Sequence, residues 1–145
     1  MYKRILLAYD GSAPGQQALL DSREIAQWSQ AELTLIAVMP LPIVTMGPEG
    51  GVYDDSLEES EKQRYQAILD AGLRRLKEAG MSARGEVVKG DPVRELARTA
   101  SRIGADLIVV GHRHLDGWAA RWWQGSVSKA LIEHAPCSVL VVITH

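Results

Sequence analysis

A chain of 145 residues has the length of one ordinary domain and can bury a core without disulfide or metal staples. Its 46% hydrophobic and 23% charged residues describe a globular chain rather than a disordered one. The net charge of −2, from 16 Lys+Arg against 18 Asp+Glu, leaves no basic excess to neutralise a phosphate backbone, so nucleic acid is not an expected partner. The lone cysteine, Cys137, cannot close an internal disulfide, which points to a reducing compartment. No run approaches the roughly 20 apolar residues that span a bilayer. The opening Met1-Tyr2-Lys3-Arg4-Ile5-Leu6-Leu7 has a charged start, but its apolar run stops at Asp10-Gly11-Ser12, too early for a signal peptide. The expectation is a cytoplasmic, single domain over 1–145 with no membrane association.

In chain order, Arg4 to Tyr9 is almost wholly apolar, as a strand covered on both faces should be. Gln16 to Trp28 is helical in period, with Leu19, Ser22, Ile25 and Ala26 on one stripe. Leu33 to Met39 is the second strand. From Met39 to Ser56 the prolines Pro40, Pro42 and Pro48 and the glycines Gly47, Gly50 and Gly51 predict a connection without regular structure, solvated or folded over a ligand. Leu57 to Ala79 is the longest helix, with Tyr65, Ile68, Leu69, Leu73 and Leu76 at steps of three and four, ending at Gly80. Ala83 to Val88 is a weaker, more polar third strand. Asp91-Pro92 supplies a capping acid followed by proline and opens a helix through Val93, Leu96, Ala97, Ala100 and Ile103. Leu107 to Val110 and Val139 to Ile143 are the last two strands, rich in β-branched residues. Between them a helix from near Ser126 turns Val127, Ala130 and Leu131 inward and finishes before Pro136.

Alternating strands and helices of these lengths predict an α/β fold: an open five-stranded parallel sheet with helices on both faces, Rossmann-like in architecture. Ligands in such sheets lie outside the carboxyl ends of the strands, where the winding reverses. That singles out Asp10-Gly11-Ser12, the segment from Val38 onward, and the stretch beginning at Gly111.

The last of these carries the most chemistry. A buried strand runs into Gly111, followed by His112-Arg113-His114-Leu115-Asp116-Gly117, and Gly125-Ser126-Val127-Ser128 then opens a helix. Glycine admits close backbone approach, and the free N–H groups at a helix start favour an anion. With Ser126 and Ser128 adding hydroxyls, the segment has the design of a phosphate cradle. It is not a P-loop, for no Gly-x-x-x-x-Gly-Lys-Ser/Thr occurs, and Gly11-Ser12-Ala13-Pro14-Gly15 is not the dinucleotide fingerprint. His112, His114 and Asp116 lack a fourth ligand at a metal-binding spacing. Trp118, Trp122 and Trp123 suit packing or subunit contact better than base stacking.

The combination resembles the universal stress protein family. The likeness rests on Arg4-Ile5-Leu6-Leu7-Ala8-Tyr9-Asp10-Gly11-Ser12, on Gly90-Asp91-Pro92, on Ala105-Asp106-Leu107-Ile108-Val109-Val110-Gly111, and on the whole run from Gly125 to Val142, in that order. The family includes members that bind ATP and members that do not. Binders carry Gly, two residues, Gly, nine residues, then Gly-Ser or Gly-Thr. Here Gly111 and Gly125-Ser126 match, whereas His114 stands at the second glycine and ten residues separate it from Gly125. The resemblance implies an ATP site, or one for another adenine nucleotide, with Mg²⁺ on the phosphates and no metal held by protein alone. Ala8, Tyr9, Asp10, Gly11, Ser12 and the backbone at Val38 would face adenine and ribose. Gly111, Arg113 and His114 would line the phosphates, and Gly125, Ser126, Val127 and Ser128 would hold them.

No side chain has the setting of a dedicated nucleophile, so at most slow hydrolysis is expected and no catalytic residue is assigned. The leading expectation is a stress-response or signalling module that reports nucleotide occupancy to an unidentified protein partner. A nucleotide-free homodimeric interaction protein of the same fold is the alternative. An ATP-using enzyme of the wider adenine nucleotide alpha hydrolase-like group is a third, although neither Ser-Gly-Gly-x-Asp-Ser nor His-x-Gly-His is present. The apolar run Ser138 to Thr144 near the chain's end, and the resemblance, both predict a homodimer through the C-terminal strand.

Overall fold

The computed structural model describes residues 1–40, 55–113 and 127–144. The strands are β1 (Arg4–Ala8), β2 (Glu32–Met39), β3 (Arg84–Lys89), β4 (Leu107–Arg113) and β5 (Ser138–Thr144), and the helices α1 (Ala13–Ser29), α2 (Asp55–Glu78), α3 (Pro92–Ile103) and α4 (Val127–His134). All strand pairings are parallel, in the order β3-β2-β1-β4-β5. The α/β sheet expected from the sequence is the fold.

Strand alternation divides the core into two layers. Ile5, Leu7, Leu33, Leu35, Ala37, Leu107 and Val109 point to one face, where Leu19 and Ala26 of α1 and Leu69 and Leu76 of α2 cover them. Leu6, Ile36, Ile108 and Val110 point to the other, beneath Leu96 and Ala100 of α3 and Leu131 of α4. The central strands are therefore apolar at consecutive positions through Ile5–Leu7, Leu35–Val38 and Leu107–Val110, while the edge strand β3 keeps a polar pattern because its Arg84 and Gly85 reach solvent. Arg102 of α3 pairs with Glu86 of β3, and Lys89 pairs with Glu58 of α2, tying helices to that edge. Among the described residues, no helix is long and apolar enough to cross a membrane.

Two element boundaries differ from the sequence reading by three residues, the others by two at most. Helix α1 starts at Ala13 rather than Gln16, because Ser12 is its N-cap, its hydroxyl accepting from the Gly15 N–H at 3.2 Å, with a proline in the first turn. Strand β4 does not end at Val110. Gly111, His112 and Arg113 remain in it, in register with Val142, Ile143 and Thr144 of β5. The long final strand gives them a partner that the glycine concealed.

Candidate functional site

The chain runs from β1 to β2 and β3 on one side, then returns to β4 and β5 on the other, so the winding reverses between β1 and β4. Ala8 pairs with Val110 at the last step of the β1–β4 ladder. Beyond it β4 continues for three residues on β5 alone, and the two strands part at their carboxyl ends. A cavity of about 120 Å³ opens there, lined by Ala8, Tyr9, Asp10, Gly15, Ile36, Val38, Pro92, Leu96, Val110 and Gly111. It lies on the α3 side of the sheet, since Ile36, Leu96 and Val110 belong to that layer of the core.

The β1–α1 turn at its rim is tightly determined. Gly11 has φ +77°, a left-handed conformation that L side chains seldom adopt. Asp10 Oδ1 accepts from the Ser12 N–H at 2.9 Å and from the Ser12 hydroxyl at 2.5 Å. A Cβ on Gly15 would lie 2.6 Å from the same oxygen, so the first turn of α1 closes directly against the carboxylate. Asp10 thus has a structural role, and its carboxylate also stands at the cavity rim.

Tyr9 behaves differently from its neighbours. Its ring packs into the opposite core layer, where a Cβ on Gly72 of α2 would lie 2.7 Å from it. What it offers the cavity is main chain, whose N–H donates to the Ile36 carbonyl at 2.9 Å. Burial raises the phenol pKa above its ordinary 10.0; Arg75 opposes the rise and Asp10 adds to it.

Of the residues singled out in the sequence, Ala8, Tyr9, Asp10, Val38 and Gly111 come together at this cavity. Gly11 and Ser12 form the turn behind it. Arg113 sits at the end of β4 opposite Thr144, and Val127 and Ser128 begin α4. His114, Gly125 and Ser126 lie outside the described residues, as do Asp116, Trp118, Trp122, Trp123 and the connection 41–54. The sequence reading missed Gly15, Ile36, Pro92, Leu96 and Val110. Pro92 and Leu96 were legible only as the start of α3; that this helix crosses back over the sheet to roof the cavity is a matter of topology.

Chemically the cavity is an apolar slot with one carboxylate at its edge, suited to a flat heterocycle. Helices α1, α3 and α4 each follow a strand and so begin at this carboxyl edge, directing N–H groups toward it. Ser12 and Asp91 cap α1 and α3, Asp91 accepting from the Arg94 N–H at 3.0 Å.

Comparison with known proteins decides the family. The model of the universal stress protein family matches residues 1–142. The chain belongs to the universal stress protein family. It is similar to the universal stress protein YxiE of Bacillus subtilis (strain 168), 30% identical over 148 aligned positions that cover 98% of this chain and 99% of that one. A crystal structure of a universal stress protein family member from Burkholderia pseudomallei superposes with a TM-score of 0.77 at 29% identity, covering 97% of this chain and 96% of that one. A second crystal structure, of a universal stress protein in complex with cAMP, gives a TM-score of 0.69 at 27% identity and covers 99% and 98%.

Proposed function

We propose that this universal stress protein binds an adenine nucleotide, ATP with Mg²⁺ in the first place, and works as a cytoplasmic stress-response or signalling module without fast catalysis. The observation that carries the reading is the apolar slot at the switch point of the sheet, with Ala8, Val38 and Gly111 on its walls. At about 120 Å³ it is smaller than the roughly 300–1,000 Å³ of whole small-molecule sites, so it would take the base and leave ribose and phosphates outside. Asp10 at the rim would face the ribose, and the β4 backbone from Gly111 onward would face the phosphates. Arg113, His114, Gly125, Ser126, Val127 and Ser128 would complete the phosphate cradle. Mg²⁺ would be carried by the phosphates, neutralising their charge, with no ligand set of the protein's own. The cAMP bound to a relative of the same fold supports the adenine specificity.

A calorimetric titration with ATP, AMP and cAMP, with and without Mg²⁺, tests the reading. Saturable one-to-one binding is expected, weakened in Gly125→Val by a branched side chain where phosphate oxygens must approach. Ser126→Ala should lose less, about 1 kcal/mol for one hydroxyl bond. Unchanged ATP affinity in a folded Gly125→Val protein would remove the cradle from the proposal.

The proposed assembly is a homodimer through β5. That strand is at the edge of the sheet, and its Ile143 is 55% exposed, with Ile132 of α4 at 64%. Pairing about a twofold axis would satisfy an edge that no strand covers among the described residues, and would cover apolar surface.

A further inference from the structure

One peptide group links the rim carboxylate to a helix on the far side of the sheet. The unit between Gly11 and Ser12 is held at both ends: its N–H donates to Asp10 Oδ1 at 2.9 Å, and its carbonyl accepts from Gln16 Nε2 at 3.2 Å. Rotation of that plane would break both bonds together. The Gln16 amide is itself oriented, because Arg75 of α2 donates to its Oε1 at 2.7 Å. A guanidinium only donates, so Oε1 must face Arg75, and this leaves the NH₂ group for the Gly11 carbonyl. Helix α2 supports the same turn through Ile68, whose Cγ2 lies 3.2 Å from where a Gly11 Cβ would be.

We infer that Gln16, oriented by Arg75, is a positioning residue for Asp10: it fixes the Gly11–Ser12 peptide plane and, through it, the carboxylate at the cavity rim. The inference rests on the reading of that cavity as a nucleotide site. Both Ser12 donors, the peptide N–H and the hydroxyl, fall on Asp10 Oδ1, so the orientation of the peptide fixes where the carboxylate is held. The link also makes α2 part of the site, although among the described residues it contributes nothing to the cavity lining.

Gln16→Glu separates this role from a merely structural one. At pH 7.5 the glutamate keeps an acceptor for Arg75, now in an ion pair, but cannot donate to the Gly11 carbonyl. The melting temperature of the nucleotide-free protein should therefore hold or rise, while the Kd for ATP rises about tenfold, the upper range for one lost hydrogen bond. In the nucleotide-free protein, hydrogen exchange at the Ser12 amide should quicken, with the β1 and β2 amides unchanged. Arg75→Met should reproduce part of the loss of ATP affinity and of the faster Ser12 exchange, and Arg75→Lys, which can still donate to Oε1, should return both toward wild type. Equal ATP affinity and equal Ser12 exchange in Gln16→Glu and wild type would overturn the inference while leaving the nucleotide reading intact. Wild-type protein that binds no adenine nucleotide would overturn both.

Discussion

Gly72 lies in the interior of α2, where a glycine ordinarily costs a helix about 1 kcal/mol relative to alanine. It is tolerated because the Tyr9 ring and Leu35 occupy the space a side chain would take, at 2.7 and 3.0 Å from an ideal Cβ. An aromatic ring fixed in a close-packed layer has little room to yield, and overpacking of this kind costs about 1–3 kcal/mol. Gly72→Ala should therefore lower stability in a denaturant melt despite the better helix propensity. A more stable Gly72→Ala protein would show that the ring moves aside freely. At this scale the sequence was informative only where chemistry is local. Asp10, Gly11 and Val38 stand at strand ends, and Gly111 follows an apolar run, so all four could be marked as site candidates. Gly72 against Tyr9, and Gln16 between Arg75 and Gly11, are meetings across the fold with no signature along the chain.

The helices and strands were legible because each obeys one periodicity. The apolar runs of β1, β2 and β4 follow from burial on both faces, and Asp91-Pro92 marked the start of α3 correctly. The start of α1 lies three residues ahead of Gln16, because the cap and the proline precede the apolar stripe from which the helix is read. Ser12 holds both that N-terminus and the Asp10 carboxylate. Ser12→Ala should thus cost about 1 kcal/mol of folding free energy, the usual size of a lost cap. Circular dichroism melts would check it, and an unchanged melt would mean that Asp10 alone suffices to close the turn. The end of β4 was also misplaced, for glycine reads as a strand terminator whereas its pairing with Val142 depends on a strand that comes later in the chain.

For the whole molecule, acid–base behaviour should weaken the fold at high pH. Burial pushes the Cys137 thiol above its ordinary 9.0, with Asp106 adding to the rise, and burial likewise raises Tyr9 above 10.0. Both groups hold their protons more tightly when folded, so the unfolded chain releases them first as pH rises. Their contribution is complete below about pH 9 and falls away above it, and the melting temperature should drop between roughly pH 9 and 11. Alkylation of Cys137 at pH 8 should accordingly run slower than that of a free thiol. Rapid alkylation of the folded protein would contradict that account.

The proposed dimer is best probed at Ile143, which is exposed, rather than at Val141, which packs against the α3–α4 layer. Ile143→Lys should shift sedimentation toward monomer without loss of fold, and a wild-type monomer at tens of micromolar would reject the dimer.

The nucleotide reading is tested most directly by filling the slot itself. Ala8 is half-buried on the cavity side of β1, and a larger apolar residue there would occupy empty space with little disturbance of the core. The decisive measurement is a calorimetric titration of ATP with Mg²⁺ into wild-type and Ala8→Leu protein of matched stability. Saturable binding by the wild type, lost or weakened at least about tenfold in Ala8→Leu, is the expected result. Equal binding by the two proteins would place the nucleotide elsewhere, and no binding by either would contradict the assignment of this site.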